Sequence, residues 1–395
     1  MGGRRAADAR PVPGANAVTV LAVVFWVSVA LLVYTHLGYP LVLWALVLTR
    51  PDRAQRAGGA PDDELPPVSL IVAAHDEEEV IERKVRDALA LDYPRDRLEV
   101  IVASDGSTDG TVQVARAAGA DLVLDLPRGG KVAALNAAVE RSGGEVLAFS
   151  DANSFWRSNA LRLLVARLRD PDVGYVCGQV RLDGAGAANE EGLYWRYEMA
   201  VRALESRLAG VTAGNGAINA VRRDAYIFLE PTRGQDISFP YELVKRGWRP
   251  IYAPEAVARE RLAATIGSEF ARKRRMMAGA WSTMLRYGLL SPRGYGPLYA
   301  FEIASHRMLR YVSPFLHLIA LGTNIALAGG GTIYVATLAA QVALLAAAAI
   351  GAVWPLRPFR IAHYYLAVTA SSAAGLWEYL RHGVPTTWQK AEGTR

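Results

Sequence analysis

Four long stretches of this sequence carry no charged side chain, and they lie on both sides of a charged middle. The stretches are residues 17–48, 312–328, 332–354 and 361–376. Each is long enough, or nearly so, to cross the ~30 Å hydrocarbon core of a bilayer as a helix. The middle mixes charged and apolar residues and is large enough for one domain with its own core. The pattern predicts a globular domain held between membrane segments.

Basic residues concentrate beside these apolar stretches. The formal net charge of +6 would also suit a nucleic-acid-binding protein, but no basic module with interleaved aromatic residues is present. Lysine and arginine beside a membrane segment mark its cytoplasmic side and attract anionic lipid. We therefore expect a lipid bilayer as a partner and no nucleic acid. The basic residues concerned are Arg50, Arg53, Arg56, Arg272, Lys273, Arg274, Arg275, Arg286, Arg357 and Arg360.

These patterns divide the chain into seven parts. Pro40 interrupts the first apolar stretch, which predicts either a kinked membrane helix or a membrane helix followed by an interfacial piece. The parts are an N-terminal tail (1–16), a transmembrane helix (17–48), a linker (49–66), the globular domain (67–290), an amphipathic interface helix (291–311), three transmembrane helices (312–380) and a C-terminal tail (381–395). We expect a multi-pass protein of the cell inner (plasma) membrane with its globular domain in the cytoplasm.

Strand and helix patterns alternate in the first half of the domain. Short apolar runs bounded by turn residues predict strands over 68–74, 98–103, 121–124 and 145–149. Helical patterns lie between them. This order predicts a parallel sheet with helices on both faces, which is a Rossmann-like α/β fold.

Carboxylates follow three of the predicted strands. Asp76 and Glu77 follow the first, Asp105 the second, and Asp151 with Asn153 the last. The carboxyl ends of parallel strands meet at one edge of a sheet, where ligands bind. One acidic loop would be explained as a helix cap. Three on one edge repel one another unless a cation or sugar hydroxyls offset them, so the pattern favours a nucleotide-sugar and metal site.

Eight motifs occur in an order that resembles one known family. They are VSLIVAAHDEEEVI, EVIVASDGSTDGT, RGGKVAALNAA, VLAFSDANS, GLYWRYEMAVRALES, GNGAINAVRRDAY, GQDISFPYELVKRGWRPIYAPEAVA and RKRRMMAGAW. As an ordered set they resemble the family 2 glycosyltransferases with a GT-A fold, of the membrane-integrated kind that includes cellulose, hyaluronan and poly-N-acetylglucosamine synthases. The likeness covers residues 66–290, and a weaker similarity extends over the flanking apolar stretches.

The resemblance implies a binding site for a UDP-sugar donor. Asp76 or Glu77, together with Asp105, would hold the base and ribose, and Lys131 matches a lysine near the nucleotide. The family pattern for the first loop is Tyr-Asn-Glu-Glu, whereas this chain reads His-Asp-Glu-Glu, so the contact made by Asp76 departs from that pattern.

The resemblance also implies a metal site and a catalytic base. Asp151-Ala152-Asn153 stands where the family has an Asp-x-Asp motif for Mg²⁺ or Mn²⁺. Asp151 would contact the metal or the diphosphate, and Asn153 would act through water because an amide is a weaker ligand. Asp236 matches the family's general base, which removes a proton from the acceptor hydroxyl. Without the resemblance, the commoner explanation of Asp236 would be the cap of the helix that follows, and the family pattern favours the base instead.

A basic helix near the membrane completes the resemblance. Processive synthases carry Gln-x-x-Arg-Trp here, whereas this chain reads Arg272-Lys273-Arg274-Arg275-Met276. Arg272 and Arg275 share one helical face, where they would clamp the diphosphate or bind lipid headgroups. Met276 replaces the tryptophan that stacks on acceptor sugar. The candidates for acceptor contact are Gly214, Asn215, Trp195 and Met276.

The resemblance therefore implies an inverting glycosyltransferase that moves a sugar from a UDP-sugar to a hydroxyl of a glycan or a lipid-linked acceptor. The synthase layout favours polysaccharide synthesis at the cytoplasmic membrane face. One alternative is a single transfer to a polyprenyl-phosphate or another lipid carrier. A second is a membrane scaffold without activity, against which the intact set Asp105, Lys131, Asp151 and Asp236 argues.

Overall fold

In the described residues, one eight-stranded sheet runs through the domain. The computed structural model describes residues 15–49, 62–183, 190–261, 266–354 and 356–384. Most of both predicted tails and of the predicted linker lies outside the described residues. The strands are β1 (Val68–Ala74), β2 (Leu98–Asp105), β3 (Leu122–Leu126), β4 (Val146–Asp151), β5 (Phe155–Trp156), β6 (Val173–Asp183), β7 (Asn219–Arg222) and β8 (Arg249–Arg261).

Helices flank the sheet and then form a separate bundle. Those up to the end of the domain are α1 (Ala15–Val33), α2 (Tyr39–Leu48), α3 (Glu78–Leu89), α4 (Thr111–Ala117), α5 (Lys131–Arg141), α6 (Ala160–Leu168), α7 (Glu190–Leu208), α8 (Gln235–Lys245) and α9 (Ile266–Leu285). Those that follow are α10 (Pro297–Glu302), α11 (Leu309–Leu327), α12 (Thr332–Val353) and α13 (Arg357–His382).

The sheet is mixed, which corrects the prediction of a parallel sheet. Its order is β3-β2-β1-β4-β7-β6-β8-β5, and β1 pairs in parallel with both β2 and β4 as predicted. Strand β7 runs antiparallel to β4 and β6, and β5 runs antiparallel to β8. The reversal of β7 arises because the loop before it arrives at the carboxyl-end edge of the sheet, so the strand must run back from that edge.

Apolar side chains cover both faces of the sheet. On one face Leu161 and Leu164 of α6 belong to one buried cluster with Val176 of β6. On the other, Leu135 of α5 and Phe239 of α8 belong to one buried cluster. Covering both faces of the central strands explains why β1 and β4 are nearly continuous apolar runs instead of alternating ones. The acidic residues at their ends are the first polar positions beyond this core.

Among the described residues, two helical stretches are long and apolar enough to cross a membrane, by length and composition. They are Asn16–Leu48 and Thr332–Val353. The first is one helical run in which a π-helical segment, Tyr34–Gly38, joins α1 to α2. Pro40 has no N–H to donate back to the carbonyl of His36, and that carbonyl accepts a 3.2 Å hydrogen bond from the Tyr197 hydroxyl. The apolar run is thereby tied to α7 of the domain.

The predicted interface helix and the span after it form one continuous helical run. A second π-helical segment, Ile303–Met308, joins α10 to α11. Two of its polar side chains are buried against the domain: His306 contacts Glu205, and Arg307 donates to the Thr212 hydroxyl. Tyr34 and Ser305, one from each π-helical segment, are joined by a 2.9 Å hydrogen bond between their hydroxyls. That α11 and α13 also cross a membrane stays a prediction.

Candidate active site

The carboxyl ends of β1, β2, β4 and β8 lie at the same edge of the sheet. Strand β8 is parallel to β6, and β6 has the same direction as β4 because each is antiparallel to β7. The loops after these strands therefore meet, as expected for the ligand-binding edge of an α/β sheet.

Asp151, Lys131 and Asp236 converge on one point of this edge. The ammonium of Lys131 donates a hydrogen bond to Asp151 Oδ1. A methyl group placed on Gly216 would lie 2.6 Å from Lys131 Nζ, 3.3 Å from Asp236 Oδ1 and 3.6 Å from Asp151 Oδ2. The three side chains come from β4, from the first residue of α5 and from the first turn of α8, and the absence of a side chain at Gly216 leaves the space between them open.

Burial and charge set the proton affinities at this point. Burial raises the pKa of Asp236 above its usual range, and the nearby Lys131 ammonium opposes that shift. Burial also acts to lower the pKa of Lys131, but the Asp151 and Asp236 carboxylates outweigh it, so the pKa of Lys131 is raised. Lys131 is therefore a cation, and Asp236 has the higher proton affinity expected of a general base.

Asp105 organises the loop before α5. It is buried, and its Oδ1 accepts hydrogen bonds from the backbone N–H groups of Gly129 at 2.7 Å and Gly130 at 2.9 Å. Gly130 has a φ of 95°, a conformation that favours glycine. These bonds fix the residue that precedes Lys131. A contact of Asp105 with the donor base or ribose stays a prediction.

Asp76 and Glu77 lie after β1, against the loop that follows β2. Asp76 is half-buried with a φ of 52°, and its Oδ1 accepts a 2.7 Å hydrogen bond from the Thr108 N–H. The backbone N–H of Glu77 donates to the Thr111 hydroxyl at 2.8 Å, and Glu77 is buried. The first two acidic strand ends are therefore adjacent, as predicted, and their assignment to the donor stays a prediction.

Glu260 is a fourth acidic strand end that the sequence analysis missed. Burial, reinforced by the Asp151 charge, raises the pKa of Glu260 to about 7, while Lys131 and Arg272 oppose that shift. It lies at the carboxyl end of β8, and the other acidic residues lie at or just after the carboxyl ends of β1, β2 and β4. Had β8 been predicted as a strand parallel to β4, the same rule would have selected it.

The basic helix α9 brings one of its two candidate arginines to the site. Arg272 acts electrostatically on Glu260, and its Nη1 contacts Met276 Sδ at 3.7 Å. Met276 is 54% exposed. Arg275 lies half-buried one turn further along α9, and its contact with a diphosphate stays a prediction. Asn153 lies half-buried in the turn after β4, and its metal contact likewise stays a prediction.

Gly214 and Asn215 belong to the loop between α7 and β7. The Gly214 N–H donates to the Asp236 carbonyl at 2.7 Å, and the Gly214 carbonyl accepts from Arg202 Nη2 at 3.1 Å. The Asn215 side chain bonds the Gly178 carbonyl and the Ile218 N–H. This loop therefore adjoins the start of α8, and the Asn215 side chain builds it.

Trp195 lies among core residues. Its indole N–H donates to the Val180 carbonyl at 2.8 Å, and its ring packs against the apolar clusters on both faces of the sheet. A structural role for this half-buried side chain accounts for these contacts, and acceptor stacking by Trp195 stays a prediction.

A known family matches the part of this chain that contains Asp105, Lys131 and Asp151, and the match ends before Asp236. Residues 69–228 match the model of the family described as Glycosyl transferase family 2. Residues 69–228 therefore have the sequence of a family 2 glycosyltransferase domain, which confirms the resemblance predicted from the motifs.

Two curated relatives have more specific names. A beta-monoglucosyldiacylglycerol synthase of Synechocystis sp. is 32% identical over 230 residues, which is 50% of this chain and 45% of that protein. A poly-beta-1,6-N-acetyl-D-glucosamine synthase of Staphylococcus aureus is 24% identical over 236 residues, 57% of each protein. The chain thus spans about half the length of these relatives.

One solved structure is similar over most of its length. The mannosyltransferase PcManGT from Pyrobaculum calidifontis, in complex with GDP-Man and Mn²⁺, has a TM-score of 0.69 and 24% sequence identity. The match covers 91% of this chain and 99% of that one. This likeness shows that the domain has the GT-A fold.

Proposed function

We propose that this protein is an inverting glycosyltransferase that moves a sugar from a UDP-sugar to a hydroxyl acceptor. The observation that carries the proposal is the convergence of Asp236, Lys131 and Asp151 on the space beside Gly216. A half-buried carboxylate with a raised pKa serves as the base, and an ammonium hydrogen-bonded to Asp151 stabilises an anionic leaving group.

The chemistry follows from these positions. Asp236 takes the proton of the acceptor hydroxyl while the hydroxyl oxygen forms a bond to the anomeric carbon. The bond from that carbon to the diphosphate breaks on the opposite side, so the configuration inverts. Lys131, Arg272 and Arg275 stabilise the negative charge that develops on the departing UDP. Because Asp236 accepts the proton while the hydroxyl oxygen attacks, its carboxylate must be unprotonated at the start of each turnover.

A divalent cation, Mg²⁺ or Mn²⁺, fits the residues after β4. Within the described ranges, no three His, Cys, Asp or Glu residues are grouped to hold a metal. Asp151 and Asn153 supply one carboxylate and one amide oxygen, which suits a hard cation that takes its remaining ligands from diphosphate and water. The cation would neutralise the diphosphate. The GDP-Man and Mn²⁺ bound to PcManGT support a nucleotide sugar with a divalent metal.

We further propose that the active site works at the cytoplasmic face of the plasma membrane in polysaccharide synthesis. Support comes from the apolar stretches Asn16–Leu48 and Thr332–Val353 and from the name of the Staphylococcus aureus relative. Helix α9, which carries Arg272, packs along α13 of the bundle that follows the domain. The acceptor would therefore approach between the domain and these helices.

A specific cluster favours a second candidate, a single transfer to a lipid-linked acceptor. Lys273 Nζ lies 5.1 Å from the ring centroid of Tyr194 and 5.6 Å from that of Tyr364, and the Arg310 guanidinium lies 5.0 Å from Tyr194. Two cations stacked on aromatic rings beside an apolar bundle suit a lipid phosphate or glycolipid headgroup. The exposed Met276 stands where processive synthases have a stacking tryptophan, and this replacement also favours transfer to a lipid-linked acceptor.

Product analysis tests the proposal and separates the two candidates. Purified protein in lipid is incubated with Mn²⁺ and a panel of radiolabelled UDP-sugars, with GDP-mannose as the competing donor. A polymer or a ladder of products supports polysaccharide synthesis, whereas a single organic-soluble product supports transfer to lipid. Transfer from GDP-mannose alone would overturn the assignment of UDP. No sugar transfer from any donor would return the chain to the scaffold alternative.

A further inference from the structure

A lysine lies buried beneath the turn that carries Asp151 and Asn153. Lys84, in the middle of α3, is only 2% exposed. Its Nζ donates to the Ser150 hydroxyl at 2.7 Å and to the Ser154 carbonyl at 2.5 Å. These two acceptors lie at the two ends of the turn, so one ammonium spans it from behind.

The same turn is tied to the loop next to the active site. The hydroxyls of Ser150 and Ser154 each donate to the Ala217 carbonyl at 3.1 Å, and the indole of Trp156 donates to it at 2.9 Å. Ala217 follows Gly216, whose missing side chain leaves the site open. Lys84 is therefore at the base of a set of bonds that joins the Asp151 turn to this loop.

Burying this ammonium is costly, and its surroundings show what offsets the cost. Lysine is almost never fully buried unless it is paired. Burial lowers the pKa of Lys84 to about 7, and the charges of Asp151, Asp87 and Glu260 oppose that shift. Asp151 and Glu260 belong to the active-site edge. The cation is thus placed where carboxylates concentrate and where the donor diphosphate adds further negative charge.

We propose that Lys84 is a positioning residue that holds the Asp151–Asn153 turn in the geometry that binds the donor diphosphate with its divalent cation. Its two hydrogen bonds fix the ends of the turn, and its charge offsets the carboxylates beside it. An apolar side chain of the same length would fill the volume but would leave the Ser154 carbonyl buried without this donor. This inference rests on the proposed function, because it assumes a diphosphate donor.

Binding experiments on the purified full chain in detergent test the proposal. In Lys84→Met we expect the Mn²⁺ concentration for half-maximal UDP binding to rise at least tenfold, whereas the affinity for uridine, which has no phosphate, stays within twofold. Lys84→Arg keeps the charge and restores at least part of the Mn²⁺ dependence. Lys245→Met is the matched control, because Lys245 also donates to a backbone carbonyl, that of Gly288 at 2.6 Å, at the far end of α8 from Asp236. We expect it to leave UDP binding unchanged.

The outcomes distinguish this inference from the proposed function. Folded Lys84→Met protein with the wild-type Mn²⁺ and UDP dependence overturns the positioning role. Equal losses of uridine and UDP binding also overturn it, because they would indicate a general disturbance of the domain. If Lys84→Met does not fold, Ser150→Ala decides, since it removes one partner and keeps the cation. It should raise the Mn²⁺ requirement in the same direction, and an unchanged requirement counts against the proposal. Wild-type protein that binds no UDP would instead contradict the proposed function.

Discussion

The Tyr39 hydroxyl donates a 2.7 Å hydrogen bond to Glu205 Oε1, across 166 positions of sequence. The same carboxylate oxygen lies 2.6 Å from His306 Nδ1, and Glu205 also accepts from the Thr212 hydroxyl. Arg307 Nε donates to that hydroxyl at 2.9 Å. One buried carboxylate thus joins the first apolar run, the helical run after the domain, and the loop that leads to Gly214 and Gly216.

The charge state of this cluster predicts a pH-dependent stability. Glu205 outweighs the effect of burial and raises the pKa of His306, while His306 and Arg307 lower the pKa of Glu205 against burial. The contribution of His306 to the free energy of unfolding is complete below its ordinary pKa of 6.5 and is lost as the pH rises through its raised pKa in the folded protein. The contribution of the Glu205 carboxylate is lost as the pH falls through its lowered pKa in the folded protein.

We therefore expect the Tm of Glu205→Gln to change less with pH than the Tm of the wild type. The difference in Tm between wild type and this variant should be largest near pH 6 and should shrink towards alkaline pH, because His306 is then neutral in both proteins. Thermal unfolding in detergent at a series of pH values measures this. Glu255→Gln is the control, because Glu255 pairs with Arg167 at 2.7 Å without a histidine. A Tm difference that does not change with pH would contradict the charge assignment.

Asp236→Asn should abolish sugar transfer but keep donor binding. The amide has nearly the same shape but cannot accept the acceptor proton, so the loss should be about 10²–10⁴-fold in kcat. The Gly214 N–H bonds the backbone carbonyl of residue 236, so that support for the loop persists. Turnover and UDP affinity are measured on the same preparation. Wild-type turnover would reject Asp236 as the base.

Gly216→Ala should impair the site, and Gly234→Ala should not. The added methyl at Gly216 would lie 2.6 Å from Lys131 Nζ and must displace it from Asp151. Losing a charge-assisted hydrogen bond of this kind costs about 1.5–3 kcal/mol, which corresponds to about a 10- to 150-fold loss in kcat/KM. A methyl at Gly234, which precedes α8, meets no atom within 4 Å. Steady-state kinetics with the preferred donor measures both, and equal activities would exclude this arrangement of Lys131.

Asn153→Asp should lower the metal requirement. The change restores two carboxylates to the turn after β4, and a second negative ligand should reduce the Mn²⁺ concentration for half-maximal activity about tenfold. Tighter metal binding should come with the same or slower product release. Metal titrations of wild type and variant at fixed donor concentration measure the effect. An unchanged requirement would place the metal away from residue 153.

Local sequence patterns were sufficient to predict the strands in the first half of the domain. β1 has its predicted bounds, Val68–Ala74, and Asp105 and Asp151 terminate strands as expected. These elements are short apolar runs bounded by turn residues, so local periodicity and turn signals define them. Asp151 and Lys131 meet because β4 and the loop between β3 and α5 both reach the carboxyl-end edge of the sheet.

Residues whose roles depend on distant pairing could not be found in this way. Glu260 belongs to the active-site edge only because β8 pairs with β6, some 75 residues earlier in the chain. Lys84 shares one face of α3 with the apolar Ile81, Val85 and Ala88, but its partners Ser150 and Ser154 lie more than sixty residues later in the chain. The antiparallel β7 is four residues long, too short for a period to be read. Each of these features depends on contacts between residues that are far apart in the sequence, so a local sequence pattern does not reveal it.

The contact between the two π-helical segments has a consequence for the order in which the protein is completed during synthesis. Tyr34 and Ser305 are 271 positions apart, and His306 and Arg307 follow directly. A ribosome that has translated as far as α9 has produced every donor-site residue, but not the partners that enclose Glu205. The loop beside Gly216 then lacks one of its supports. We therefore expect the loop beside Gly216 to reach its final structure only after the helical run that follows the domain has packed against it. The proposed sugar transfer would begin only after that step.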